Sequence, residues 1–126
     1  MNIFGIGTDI VECLRIAQMI ERHGELFINR VYTQNEIEYC RSRKAATQHF
    51  AGRWAAKEAA LKALGTGLAQ GLRWQDIETD NNAQGAPLLR FAGRAAELQR
   101  DRGIRTLHLS LSDEQAYVVA FVILEH

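Results

Sequence analysis

The sequence predicts an α+β domain, with a largely antiparallel sheet packed against one long alanine-rich helix. Three observations predict it. Short β-branched and apolar runs stand at both ends of the chain, helical spacing fills the first half between them, and residues 44–64 form an alanine-rich run closed by Gly65. With 126 residues, no repeat, no linker and a single proline, the chain reads as one domain spanning 1–126.

Residues 2–8 (NIFGIGT) read as a buried strand ending at Asp9, and its two glycines point to close backbone approach or a bulge. From Glu12 to His23, Val11, Leu14, Ala17 and Ile20 recur at three-residue steps, so a helix with those residues facing the core is expected, stopped by Gly24. Thr33 with Glu36 three places on forms a capping box that opens a helix to about Ser42. The run 44–64 (KAATQHFAGRWAAKEAALKAL) is the strongest helix, and Gly65 and Gly67 follow where a chain leaves a helix at positive φ. Strands are expected near 75–80 and 87–91 around a turn from Asp80 to Gly85, then a short helix near 93–101 stopped by Gly103. Two strands, 104–112 and 116–125, close the chain, and YVVAFVIL is apolar enough to be buried on both faces.

Hydrophobic residues make up 47% and charged residues 24%, an ordinary globular balance, and the net charge of zero offers no bulk attraction to nucleic acid or an anionic membrane. Basic residues nonetheless gather early: Arg15, Arg22, His23 and Arg30, then Arg41, Arg43 and Lys44. Cys13 and Cys40 fit neither a metal spacing nor a CxxC pair, and are expected as reduced, partly buried thiols. The amino terminus has no cationic leader, and no apolar run approaches the roughly 20 residues that span a bilayer. A soluble, cytoplasmic protein is expected.

In the long helix, Glu58 and Lys62 lie one turn apart on one face, with Ala51, Ala55 and Ala59 on or beside it. Phe50, Trp54, Leu61 and Leu64 form an adjacent apolar stripe expected to meet the sheet, and Lys57 falls inside that stripe, either snorkelling or paired. Taken alone, Glu58 and Lys62 fit a surface ion pair worth about 0.2–0.5 kcal/mol, and Asp9 fits a strand end or a helix cap. Taken together, two carboxylates from separate elements suit a hard cation such as Mg²⁺, and a nearby lysine supplies a charge for phosphate. The residues by themselves reach a metal–phosphate site and no further.

GIGTDIVE at 5–12, FAGRWAAKEAALKALGTG at 50–67, DIE at 76–78, the G-x-P of Gly85 and Pro87, and LSLSDEQAYVVAFVI at 109–123 occur in an order and spacing that resembles the holo-acyl-carrier-protein synthases. The resemblance implies a 4′-phosphopantetheinyl transferase fold and a homotrimer with active sites between subunits. It also implies transfer of 4′-phosphopantetheine from coenzyme A to a serine of an acyl carrier protein, in support of fatty acid biosynthesis. By that resemblance Asp9 and Glu58 hold Mg²⁺, Lys62 lies by the coenzyme A phosphates, and Gly65, Gly85 and Pro87 border the nucleotide. Arg53 and Lys44 are candidates for the 3′-phosphate. Ala86 stands where many relatives have lysine, and Asp113 where many have histidine. An ionised aspartate only accepts hydrogen bonds, so no phosphate contact is expected there. His108 is expected to be structural.

Arg15, Met19 and Arg22 stand at i, i+4 and i+7, a cationic stripe with a flexible thioether at its centre. Such a stripe suits docking of an acidic carrier protein, and Phe27 extends it. Two rivals remain open at this level. A metal-dependent phosphohydrolase would use the same carboxylates and lysine but needs no basic docking helix, and a non-enzymatic trimeric module would leave these charged faces merely solvated.

Overall fold

The computed structural model describes residues 2–126. The order of elements is β1 (Ile3–Glu12), α1 (Cys13–His23), α2 (Glu25–Val31), α3 (Gln34–Arg41), α4 (Ala46–Leu64), a 3₁₀ turn (Trp74–Asp76), β2 (Ile77–Asn81), β3 (Pro87–Phe91), α5 (Gly93–Asp101), β4 (Thr106–Asp113) and β5 (Tyr117–Glu125). The strands form an antiparallel three-stranded sheet in the order β1-β5-β4 and an antiparallel β2–β3 hairpin.

Local chemistry explains most boundaries. The Thr33 hydroxyl accepts from the Glu36 N–H at 3.2 Å while the Glu36 carboxylate accepts from the Thr33 N–H at 3.0 Å, so both halves of the expected capping box form. Helix α4 ends at Gly65, whose φ of 78° is a left-handed position that a side chain would strain.

Several expectations are corrected. The first strand does not stop at Asp9: it continues to Glu12, with Asp9 paired opposite Ala120. Helix α2 was not announced by the periodicity, because Gly24 at φ 53° ends one helix and at once begins another of only seven residues. On α1 the core residue is Ile16, whereas Leu14 is 59% exposed. Of the stripe Phe50, Trp54, Leu61 and Leu64 expected to meet the sheet, Phe50 and Trp54 turn away from it, as does Lys57 within it. Phe50 packs edge-on to Tyr32, and Trp54 stacks on Trp74 and lies against Phe27.

The sheet instead receives the small-residue face of α4. A Cβ on Gly7 would lie 1.8 Å from the Ala59 carbonyl oxygen, and one on Gly5 would lie 1.9 Å from that of Ala63. Gly52 faces Val118 and Leu111. Helix backbone therefore rests directly on strand backbone, which only glycine in β1 and alanine in α4 permit.

Strand β5 alternates strictly. Val118, Ala120, Val122 and Leu124 are buried beneath α4, while Tyr117, Val119 and Phe121 face outward. The expected burial on both faces is thus not met within one chain. Register places Ile10 opposite Val119 and Ile6 opposite Ile123, so the outer face of the sheet carries a contiguous apolar patch. Ile10 is 64% and Phe121 43% exposed there. His108 lies on the same outer face, 3.1 Å from Glu125. Cys13 is half-buried, and Cys40 is fully buried, which pushes its thiol up to about 12. No helix among the described residues is long and apolar enough to cross a membrane.

Candidate functional site

The strand alternation that turns Gly5 and Gly7 toward α4 turns Asp9 the same way, one step further along. Because the glycines let α4 sit down on β1, Gly5 against Ala63 and Gly7 against Ala59, the next inward side chain lies beside the flank of the helix from which Glu58 and Lys62 project. The Lys62 ammonium donates to the Asp9 carboxylate at 3.1 Å and to the Thr8 carbonyl at 2.9 Å. Glu58 is half-buried, and its carboxyl is raised above its ordinary value by burial first and by the Asp9 charge second. Lys62 and Arg15 pull it back down. Two carboxylates and a lysine thus share one partly desolvated edge of α4, with Arg15 close by.

The donor set has a definite character. It offers carboxylate oxygens alone, and among the described residues no group of three or more His, Cys, Asp or Glu side chains gathers anywhere. Such a pair suits a small hard cation that keeps several of its waters, and does not suit a site that needs nitrogen or sulfur ligands.

Arg53 lies elsewhere. Five residues from Glu58, it is turned about 140° around the helix axis, onto the opposite flank of α4. There its guanidinium donates to the Asn81 side chain at 2.7 Å and lies over the Tyr39 ring at 4.2 Å, while Arg43 approaches the same ring at 4.6 Å. Asn81 in turn donates to the Gly85 carbonyl at 3.0 Å, tying the arginine to the β2–β3 turn. Gly85 adopts φ 88°, so its glycine is required by conformation. The result is a cleft of about 220 Å³ lined by Arg53, His49, Asn81, Gly85, Pro87 and Asp113, among others. Arg53 is almost wholly buried, yet its Nε has no partner. Burial, Arg53 and Arg43 all hold the His49 ring below its ordinary value, while Asp113 works against them. A buried, incompletely satisfied guanidinium at a cleft is a ready anion contact. Lys44 is exposed before α4, on a neighbouring hollow that shares Gln48 with this cleft.

The expected site residues therefore fall into two groups at opposite edges of the sheet. Asp9, Glu58 and Lys62 gather at the β1 edge, with Gly65 one turn on at the end of α4. Arg53, Gly85 and Pro87 gather toward β4, through Leu111 and Asp113. Of the residues expected to dock a carrier protein, Arg15 and Arg22 are exposed, Met19 is half-buried and Phe27 is buried. Met19 and Phe27 line a hollow of about 420 Å³ with Leu26, Trp54 and Trp74, and His23 and Arg30 stand at its edge. Tyr39, His49 and Asn81 escaped the sequence, because they converge from three separate elements and no spacing links them.

Residues 5–122 match the 4′-phosphopantetheinyl transferase superfamily. The chain is 50% identical over 123 residues to the holo-[acyl-carrier-protein] synthase of Koribacter versatilis, covering 98% of each. Its fold is similar to the holo-[acyl-carrier-protein] synthase of Neisseria meningitidis, with a TM-score of 0.93 and 34% identity over 99% of this chain and all of that one. It is also similar to the Helicobacter pylori synthase in complex with coenzyme A, with a TM-score of 0.84 and 30% identity over 95% and 99% of the two chains.

Proposed function

This chain belongs to the 4′-phosphopantetheinyl transferase superfamily, and from that premise we propose that it transfers 4′-phosphopantetheine from coenzyme A to a serine of an apo-acyl carrier protein, releasing adenosine 3′,5′-bisphosphate. The observation that carries this reading is the meeting of Asp9, Glu58 and Lys62 on one edge of α4.

The residues fit Mg²⁺, and Asp9 and Glu58 are the pair that would hold it. When bound, the ion would polarise the phosphoryl oxygens and offset charge gathering on the departing phosphate. The chain's own groups do the rest. Lys62, already aimed between Thr8 and Asp9, is placed to donate to a pyrophosphate oxygen. The positive φ at Gly65 turns the chain away at the end of α4, so no side chain crowds that approach. Arg53, whose guanidinium lines the cleft, and the Gly85–Pro87 turn form a nucleotide-side contact for the 3′-phosphate. In such transfers the gain comes mainly from positioning and charge neutralisation.

A single copy carries these two halves on opposite edges of its sheet, which supports a site completed by a neighbour. The apolar outer face of Ile6, Ile10, Val119 and Phe121 supports the same conclusion, since a contiguous patch of this kind is expected to be covered. Head-to-tail copies bring the β1 edge of one against the β4 edge of the next, and a closed trimer is the ring we assign. For the carrier protein, His23 and Arg30 border the hollow of Met19, Phe27, Trp54 and Trp74, and Arg15 and Arg22 stand exposed on α1 about one turn to either side of Met19. That surface suits an acidic helix presenting an apolar side chain. The unpaired Cys13 and Cys40 fit a reducing compartment, and we place the enzyme in the cytoplasm.

Mass spectrometry of apo-acyl carrier protein incubated with this enzyme, coenzyme A and Mg²⁺ tests the reading. A gain of one phosphopantetheine, lost with chelator or with Glu58→Gln, is expected. Cleavage of coenzyme A without any carrier protein would point instead to a hydrolase.

A further inference from the structure

The face of α4 that meets the sheet is made of glycine and alanine, and it carries no long side chain to key the helix against rotation about its axis. The flank bearing Glu58 and Lys62 is partly open to solvent. On the face opposite the sheet, the side chains of Phe50 and Trp54 make apolar ring contacts, and near the start of the helix the Tyr32 hydroxyl donates to the Phe50 carbonyl at 2.8 Å. One residue there differs. Lys57 is completely buried, and each of its three ammonium protons has an acceptor: the Glu36 carboxylate at 2.7 Å, the Trp74 carbonyl at 3.1 Å and the Ile77 carbonyl.

Glu36 is equally buried and equally committed. One carboxylate oxygen accepts from the Thr33 N–H at 3.0 Å and the other from the Thr79 N–H at 2.9 Å. The knot therefore joins α3, α4, the 3₁₀ turn and β2 through directional bonds. Two unpaired charges at this depth would be costly, and a buried pair adds little to net stability over apolar packing. Its distinctive property is direction: among the directional bonds of α4, which include Arg53 to Asn81 and Lys62 to Thr8, it is the fully buried side-chain ion pair and the one next in the chain to Glu58.

We propose that Lys57 is a positioning residue, which through its bond to Glu36 sets the rotation of α4 and so holds Glu58, its neighbour in the chain, against Asp9. The inference rests on the carboxylate-pair reading above. A side-chain carboxylate lies several ångströms from the helix axis, so a rotation of about 15° carries it more than 1 Å. A displacement of that size is enough to cost about 100-fold in a positioned reaction.

The test uses Lys57→Met, together with Glu36→Gln/Lys57→Met, in which no unpaired buried charge remains. Leu98→Ala on α5 serves as a control destabilised far from the site. Each full-length protein is measured for thermal unfolding, for Mn²⁺ binding by electron paramagnetic resonance without coenzyme A, and for kcat and KM with both substrates. Folded double variant should bind Mn²⁺ about 10-fold more weakly and lose about 100-fold in kcat, with KM for carrier protein within 3-fold. The control should lose stability and keep its Mn²⁺ affinity. A folded double variant with unchanged Mn²⁺ affinity and kcat overturns the proposal, as does a loss that merely tracks the stability of the control. If wild-type enzyme binds no Mn²⁺, or Glu58→Ala binds it as well as wild type, the carboxylate-pair reading fails first.

Discussion

Placing alanine at Gly7 probes the contact on which the site is built. The new Cβ would stand 1.8 Å from the Ala59 carbonyl oxygen and 2.8 Å from the Ala63 nitrogen. An ordinary contact begins near 3.4 Å, so α4 must lift by about 1.6 Å at a point one residue from Glu58. The obstacle is helix backbone, which has no rotamer to change, so the cost falls at the upper end of overpacking, about 2–3 kcal/mol. For a domain of this size that is a fall in Tm of about 8–12 °C. Lifting the helix also parts Glu58 from Asp9, and kcat should drop about 100-fold. KM for coenzyme A should move less than 3-fold, since Arg53, the proposed nucleotide contact, lies on the other flank. Gly5→Ala makes a matched comparison: its Cβ would stand 1.9 Å from the Ala63 oxygen, five residues beyond Glu58. It should cost similar stability and less activity. Thermal melts and initial rates of holo-carrier formation, read by mass spectrometry, decide the matter. Wild-type rate in Gly7→Ala, or activity losses equal in the two variants, would refute the reasoning.

Other outcomes follow from the same geometry. Glu58 has a folded-state pKa above the usual 4.5, so the folded state holds the extra proton and stability declines as pH rises through that interval. Metal-free Glu58→Gln should therefore melt higher than wild type at pH 7, lose that advantage below about pH 4.5, and retain less than about 1% of activity. Arg53→Met should raise KM for coenzyme A at least 10-fold and leave KM for carrier protein unchanged in steady-state kinetics. Arg22→Glu should do the reverse, raising KM for carrier protein about 10-fold at low salt, with the difference shrinking as salt is added. Phe121→Glu, on the outer sheet face, should give monomers by light scattering and abolish transfer while each chain stays folded.

The parts of the fold that could be read from the sequence are those set by neighbours in the chain. The Thr33–Glu36 capping box, the Gly65 stop and the hairpin turn before Pro87 depend on a few adjacent residues, and all three form. What escaped depends on partners distant in the chain. Ala59 and Ala63 of α4 are contact surface for β1, which no local spacing could announce, because the glycines that receive them lie some fifty residues earlier. Lys57 fell in an apolar stripe as a choice between snorkelling and pairing, and Glu36, spent on a helix cap, gave no sign of being its partner. Helix α2 is too short for its periodicity to stand out, and it packs its apolar residues, Phe27, Ile28 and Val31, into the core. Strand β5 looked buried on both faces because its outer residues are apolar, which is intelligible if another copy covers them.

The same division runs through the site. The glutamate and lysine one turn apart were visible as a helical pair, and Asp9 as the polar residue of a glycine strand. Their meeting needed the sheet: β1 runs on through Asp9 to Glu12, and alternation alone turns the carboxylate toward α4. The cleft around Arg53 draws Tyr39, His49 and Asn81 from three elements, so no local spacing could announce it.

The claim beneath all of this is that Asp9 and Glu58 close on one cation. Crystals grown with Mn²⁺ and measured at its absorption edge address it directly. One anomalous peak about 2.1 Å from an oxygen of each carboxylate is predicted. A map with no peak there, or with a peak touching only one of the two side chains, would contradict the account.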